Sequence, residues 1–323
     1  MGMFHFLEVF RMKDKIFYIL SIDGGGIRGV FAAQILKRIK EELKINFFEK
    51  FDIIAGTSTG SIIAAGLAID YPIEEIVDLY QKKGKKIFYR NYSEKFNWIN
   101  WKGFFKSKYT NKYLKQELSS VFQDKTLSNT KTRLIIPASD ISNGNVFVLK
   151  SNYDPNFVRD KDIRIADAVL ASCSALTYFD PHKIKKYLLA DGGLWANNPS
   201  LVALTEAMGR RLQISKKNIR IISMGTGIGK KYYDPKDTNK QWGFKQWGIG
   251  LVSTIMNLQS INVDNIVRFM LEEDKFLRIN FEADSGIALD DIDSIENLIS
   301  RGDEKFTYYF EKIKKFLKEA THV

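Results

Sequence analysis

Two hydrophobic rhythms alternate along the chain. The run "KIFYILSI" is almost continuously apolar and rich in β-formers, so it predicts a buried strand ending at Asp23. Past a glycine-rich turn, "VFAAQILKRIKEELK" sets Phe31, Ile35, Leu36, Ile39 and Leu43 at helical spacing. "FDIIAG" predicts a second strand, and "GSIIAAGLAI" a helix apolar on nearly all sides and therefore buried. "IEEIVDLYQKKGKKIF" returns to an amphipathic helical pattern. The same alternation continues with strands "TRLIIPASDI", "NVFVLKS", "KYLLADGG" and "IRIISMGTG". Between them, "IADAVLASCSAL" and "NPSLVALTEAMGRRL" predict helices, the second with Asn198 as N-cap and Pro199 at its first position. The C-terminal third reads as largely helical, and Asp293 three residues before Glu296 opens its last helix in the manner of a capping box. Strands alternating with helices predict an α/β fold: three layers, α/β/α, around a mostly parallel central sheet.

Residues 85–113 break the rhythm. Trp98, Trp101, Phe104 and Phe105 lie there among further aromatics and interleaved basic residues, with Glu94 the only acid. The stretch reads as an insertion in one domain spanning 15–323, preceded by an N-terminal extension, 1–14. Met12 is an alternative start, because the strand pattern begins just after it. The longest uncharged run, Ile53 to Ile69, falls short of the roughly 18 residues of a membrane span and reads as strand, turn and helix. The N-terminus lacks the pattern of a signal peptide, and Phe6 stands where a myristoylation signal wants serine or threonine. The expected compartment is the cytoplasm.

Composition narrows the function classes. The 323 residues are 45% hydrophobic and 27% charged, the balance of a globular protein. A net charge of +11 favours anionic partners such as phospholipid surfaces or nucleotides, and it equally serves solubility. One cysteine, Cys173, excludes an intramolecular disulfide. Three histidines and that cysteine do not make a conventional zinc site, so neither metal nor cofactor is expected. No helix-turn-helix, RNA-recognition or zinc-finger pattern is visible, which argues against a nucleic-acid partner.

Two glycine motifs carry the candidate chemistry. In "SIDGGGIRGV", Gly24, Gly26 and Gly29 fit G-x-G-x-x-G, which serves a dinucleotide pyrophosphate or an oxyanion equally well. A dinucleotide site wants an acid at the end of the next strand, and "GTSTG" occupies that place. Gly56 to Gly60 fit G-x-S-x-G between strand and helix, the context of a nucleophile elbow. Ser58 then needs a base. His5 and His322 lie near the termini, and His182 sits in a loop after no strand end, so a histidine triad is disfavoured. Asp191, at a strand end before Gly192 and Gly193, is the alternative, and partial burial would lift its pKa toward a working range.

"DGGGIRG", "GTSTG" and "DGG" in this order, supported by "SCSALTYF" and "WANNPSLVAL", resemble the patatin-like phospholipases over roughly residues 15 to 280. The resemblance implies the patatin-like version of the α/β fold and a serine–aspartate lipid acyl hydrolase. It makes Ser58 the nucleophile, Asp191 its base, and Gly24, Gly25 and Gly26 the oxyanion-hole glycines, with Arg28 orienting their loop. Leu176 departs from a common proline and Ser61 from a frequent glycine. Enzymes of this kind act on lipid aggregates. Trp98, Trp101, Phe104 and Phe105 are therefore expected to dock the protein peripherally on the inner face of the membrane. In layout, the chain also resembles bacterial patatin effectors switched on by cyclic nucleotides in anti-phage defence. That implies a cyclic nucleotide activator as a further partner.

Overall fold

The computed structural model describes residues 15–87, 107–229, 250–283 and 287–318. Its main sheet contains β1 (Phe17–Ile22), β2 (Ile53–Gly56), β3 (Arg133–Asp140), β4 (Asn145–Lys150), β5 (His182–Ile184), β6 (Tyr187–Asp191), β7 (Ile219–Met224) and β9 (Phe276–Ile279). The strand order is β5-β6-β3-β2-β1-β7-β9, with β4 also paired to β3. The pairings β1–β2, β1–β7, β2–β3 and β7–β9 are parallel, and the three around β4, β5 and β6 are antiparallel. β8 (Ile228–Gly229) and β10 (Glu282–Ala283) form a separate short ladder.

Among the described residues, eight longer helices accompany the sheet: α1 (Gly29–Leu43), α2 (Thr59–Ala68), α3 (Ile73–Asp78), α4 (Asn111–Phe122), α5 (Ile165–Ser172), α6 (Ser200–Met208), α7 (Gly250–Met270) and α8 (Ile295–Lys318). The strand residues alternate between two cores. Leu20, Ile22, Ile54 and Met224 pack with Leu36 of α1, Ile63 of α2 and Phe306 of α8. Ile19, Ile53, Ala55 and Ile221 pack with Leu204 of α6 and Val263 of α7. A sheet buried on both faces favours apolar residues at most positions, which is why these strands read as largely apolar runs without a clean alternation. The result is the expected three-layer α/β/α arrangement. Among the described residues no helix is long and apolar enough to cross a membrane.

Several local expectations shift. His182 is not in a loop: it opens β5, and its Nε2 lies 3.0 Å from Asp167 Oδ1 on α5. That edge strand is three residues long and carries no readable period. Pro199 rather than Asn198 is the N-cap of α6, although Asn198 Oδ1 still accepts from the Ser200 amide at 3.0 Å. At the start of α8, Ser294 donates to Asp291 Oδ2 at 2.6 Å instead of a box between Asp293 and Glu296. β9 is an addition to the predicted elements: its four residues are too few to show a period. Of the aromatic stretch 85–113, Tyr109 is buried against Tyr178 and Phe179. Trp98, Trp101, Phe104 and Phe105, like residues 1–14, lie outside the described residues.

One feature of the sheet positions the site. Ile135 of β3 pairs with Ala55 of β2 on one edge and with Lys150 of β4 on the other. β4 follows β3 along its length, so β6, pairing from Ala138 to Asp140, shares the edge that β2 occupies. β2 is parallel to β3 and β6 antiparallel, so the two run toward each other and end nearly head to head. The turn after Gly56 and the carboxylate of Asp191 are thereby brought together.

Candidate active site

Ser58 stands at the sharp turn between β2 and α2, with φ 52° and ψ −125°. A positive φ is strained for a residue with a side chain, and such strain persists only where the surroundings enforce it. Here they do. The Ser58 amide donates to Ser172 Oγ at 2.9 Å, and that hydroxyl donates to Pro137 O at 2.6 Å. The Ser58 carbonyl accepts from the Ser61 amide at 2.8 Å and the Ser61 hydroxyl at 2.6 Å, so the departure at Ser61 adds a tie to the elbow. A Cβ on Gly56 would lie 2.1 Å from Gly60 O, and one on Gly60 would lie 2.3 Å from Ile22 O. Both glycines are therefore required by backbone crowding. The N-terminus of α2 behind Ser58 favours negative charge near its hydroxyl.

Asp191 ends β6 and is buried. Gly193 donates its amide to Asp191 Oδ1 at 2.6 Å, and Gly192 passes so close to Pro137 that a Cβ would lie 2.4 Å from its carbonyl oxygen. Burial pushes the carboxyl up to about 6, with the Ser58 hydroxyl and the Gly193 amide pulling the other way. The hydroxyl is near enough to favour the carboxylate but makes no well-formed hydrogen bond with it, and Oδ2 stays buried and unpaired. Catalytic contacts of this kind commonly close only when substrate is bound. Cys173 lies beside the pair, but burial pushes its thiol up, so it stays protonated and is no rival nucleophile.

The glycine loop lies against this pair: a Cβ on Gly24 would meet Ser58 Cβ at 3.2 Å. Of the three expected oxyanion donors, Gly24 is already committed, its amide donating to Asn197 O at 2.9 Å. The amides of Gly25 and Gly26 donate to no protein acceptor among the described residues. Gly26 adopts φ +58°, and a Cβ there would lie 2.1 Å from Leu289 O, so no other residue fits. Arg28 is buried and donates through Nε to Gly25 O at 3.2 Å and through Nη1 to Gly227 O at 3.3 Å. Burial lowers its pKa to about 10, which leaves it charged at neutral pH.

Sequence reasoning missed what braces this loop. Asp23 is gripped by Arg278 of β9, Nη1 to Oδ1 at 2.8 Å and Nη2 to Oδ2 at 2.5 Å. Burial opposes the charge on both groups; Asp23 holds Arg278 charged. Ser260 of α7 links Asp23 to Asn197, at 3.1 and 2.9 Å. Thr226 donates to Gly24 O at 2.6 Å, and Leu289 O accepts from the Ile27 amide at 2.8 Å. Asp23 was legible as a strand end and Asn197 sits in "WANNPS", but nothing local marks Ser260 or Arg278. A pocket of about 60 Å³ opens beside Ser58, Asp191 and Gly26, walled by apolar groups including Leu79, Ile87, Leu114 and Met256.

Known proteins resemble the chain in sequence. Residues 20–204 fit the family model described as patatin-like phospholipase. The chain is 33% identical over 339 residues to the cGAMP-activated phospholipase of Vibrio cholerae serotype O1, covering 95% of each. It is 30% identical over 328 residues to the cUMP-AMP-activated phospholipase of Escherichia coli, covering 94% of this chain and 95% of that one. Patatin-like protein 4 of Arabidopsis thaliana is 27% identical over 359 residues, covering 92% and 87%. With the family model spanning more than half of the chain and a relative one-third identical across nearly all of it, the protein belongs to the patatin-like phospholipases and is a lipid-hydrolysing esterase.

Proposed function

We propose that the protein cleaves a fatty-acyl ester of a membrane phospholipid, using Ser58 as nucleophile and Asp191 as base. One observation carries the reading: a strained serine at a helix N-terminus faces a buried carboxylate whose Oδ2 has no other partner. Asp191 takes the Ser58 proton as Oγ adds to the ester carbonyl carbon. The amides of Gly25 and Gly26 receive the oxyanion, each such donor contributing about 3 kcal/mol to the transition state. Collapse breaks the ester bond, and the proton on Asp191 passes to the departing lysophospholipid alkoxide. Water, deprotonated by Asp191, then releases the fatty acid and restores Ser58.

A specific observation favours adding a switch. The pocket at Ser58 holds about 60 Å³, whereas ordinary ligand sites span about 300–1,000 Å³. An acyl chain enters only when its walls part. The two bacterial relatives are named for activation by cGAMP or cUMP-AMP, and a cyclic dinucleotide that binds the open form better would shift the balance toward it. Docking on the inner face of the membrane through Trp98, Trp101, Phe104 and Phe105 completes the reading. Serine at all four should abolish vesicle binding while the fold survives.

The test is fatty-acid release from phospholipid vesicles by wild type, Ser58→Ala and Asp191→Ala, with and without cGAMP and cUMP-AMP. Wild type should be stimulated by a nucleotide and both variants should be inactive. Equal release by wild type and Ser58→Ala would overturn the dyad, and full wild-type activity without nucleotide would remove the switch.

A further inference from the structure

A second pocket lies at the N-terminal ends of β2 and β3, the end of β2 opposite the turn that carries Ser58. It holds about 330 Å³, is open on one side, and is lined mainly by polar groups, among them Asp52, Lys131, Arg133, Ser151, Asn152 and Tyr153. This volume falls within the usual range for small-molecule sites, which the cavity at Ser58 does not reach.

Arg133 is its distinctive member. It is half-buried at the start of β3, its guanidinium set between the rings of Phe17 at 5.8 Å and Tyr153 at 5.7 Å. Nη1 donates to the Asp52 carbonyl at 3.3 Å, while Nε is buried with no acceptor. Among the described residues no carboxylate pairs with it. A half-buried cation with no carboxylate partner is unfavourable, and an anion in the pocket would supply the missing opposite charge. Lys131 adds an exposed ammonium at the rim, 2.8 Å from Asp70.

The carboxylates of Glu49 and Asp52 also line the pocket and would repel a bare phosphate. A nucleotide satisfies both halves. Its phosphodiester meets Arg133 and Lys131, its base lies against an aromatic ring, and exocyclic amino groups donate to Glu49, since Asp52 already accepts from the Tyr18 amide at 2.9 Å. We propose that this pocket binds the cyclic dinucleotide, one nucleotide inside and the other at its open side, with Arg133 holding a phosphodiester. The proposal rests on the reading that such a nucleotide switches this enzyme on.

The location suits that role. Asp52 immediately precedes β2, whose far end leads into Ser58, and Arg133 begins β3 beside it in parallel register. β3 carries Pro137, whose carbonyl holds the Ser172 hydroxyl that in turn accepts from the Ser58 amide. Two adjacent strands therefore run from the pocket to the elbow, about 13 Å along β2.

Calorimetric titration of the full chain with cGAMP and with cUMP-AMP tests this, using wild type, Arg133→Gln and Lys131→Glu. Both variants should bind at least ten-fold more weakly, each still unfolding cooperatively on heating. If Arg133→Gln does not fold, Lys131→Glu decides alone, because its side chain lies on the exposed rim. A folded variant of either kind with wild-type affinity overturns the pocket and leaves the switch standing. Binding that depends on Arg133 yet does not stimulate hydrolysis upholds the pocket and removes the switch. Absence of binding by wild type to either nucleotide overturns both.

Discussion

The proposed reactive groups and the bonds that brace them come from different parts of the chain. Ser58, Asp191 and the free amides of Gly25 and Gly26 all lie before residue 200. The loop that carries those amides is held from behind by Ser260, Arg278 and Leu289 of the last third. The first region stores strain and an unpaired carboxylate oxygen, both unfavourable in themselves. The second braces the loop through hydrogen bonds and packs α8 onto α1, where Gln34 and Arg38 both reach Asp303. On the proposed reading, the groups that react are left poised and the bonds that hold them come from residues that do not react.

Substitutions in the two regions should therefore fail in opposite ways. The largest effect belongs to Ser58→Ala, expected to lower fatty-acid release by at least about 10⁴-fold with little change in thermal midpoint. Next come Asp23→Asn and Arg278→Met. Each leaves a buried charge without its partner, and urea unfolding should show a loss of about 3–5 kcal/mol. Activity should fall with them, because the glycine loop loses its anchor. If Arg278→Met unfolds like wild type, the bracing role of the last third is wrong.

Asp191→Asn should separate the two properties most cleanly. The raised carboxyl, at about 6 in the fold, means that ionisation opposes folding. That cost is absent below about pH 4, grows as pH rises toward 6, and is fully present above it. The variant should therefore be inactive yet more stable than wild type by up to about 3 kcal/mol at pH 8, with no gain at pH 4. Wild-type kcat/KM should rise with pH through about 6 and then level off, since the base works as the carboxylate. A flat profile between pH 5 and 7 would count against Asp191 as base.

The smallest expected effect is at Ser172→Ala. Removing its hydroxyl leaves the buried Ser58 amide unpaired, a cost of about 1–3 kcal/mol. Vesicle assays should show kcat falling more than KM changes, because the elbow loosens and the apolar pocket is untouched. An unchanged kcat would mean that the turn holds its geometry without this bond.

Much of the fold was legible because its signals are local. Largely apolar runs at β1, β2, β3 and β7 follow from a sheet covered on both faces. What escaped notice was short or remote. β5 and β9 have three and four residues, too few to show a period, and His182 was consequently misplaced. Gly24 was grouped with its neighbours as an oxyanion donor, because a glycine string does not reveal which amide the fold consumes. Ser260 and Arg278 sit in ordinary helical and strand contexts, where serine and arginine have many uses.

By itself, the sequence determined the turn chemistry. A serine forced to positive φ between close-packed strand and helix demands glycines at Gly56 and Gly60, and that demand is written within five residues. Only the tertiary structure decided that Ser58 and Asp191 meet. Their encounter depends on β2 and β6 approaching from opposite directions along one edge of β3, a matter of long-range pairing rather than local propensity. It also decided the acid–base character of Asp191, because desolvation depends on everything packed around the carboxylate and not on its neighbours in sequence.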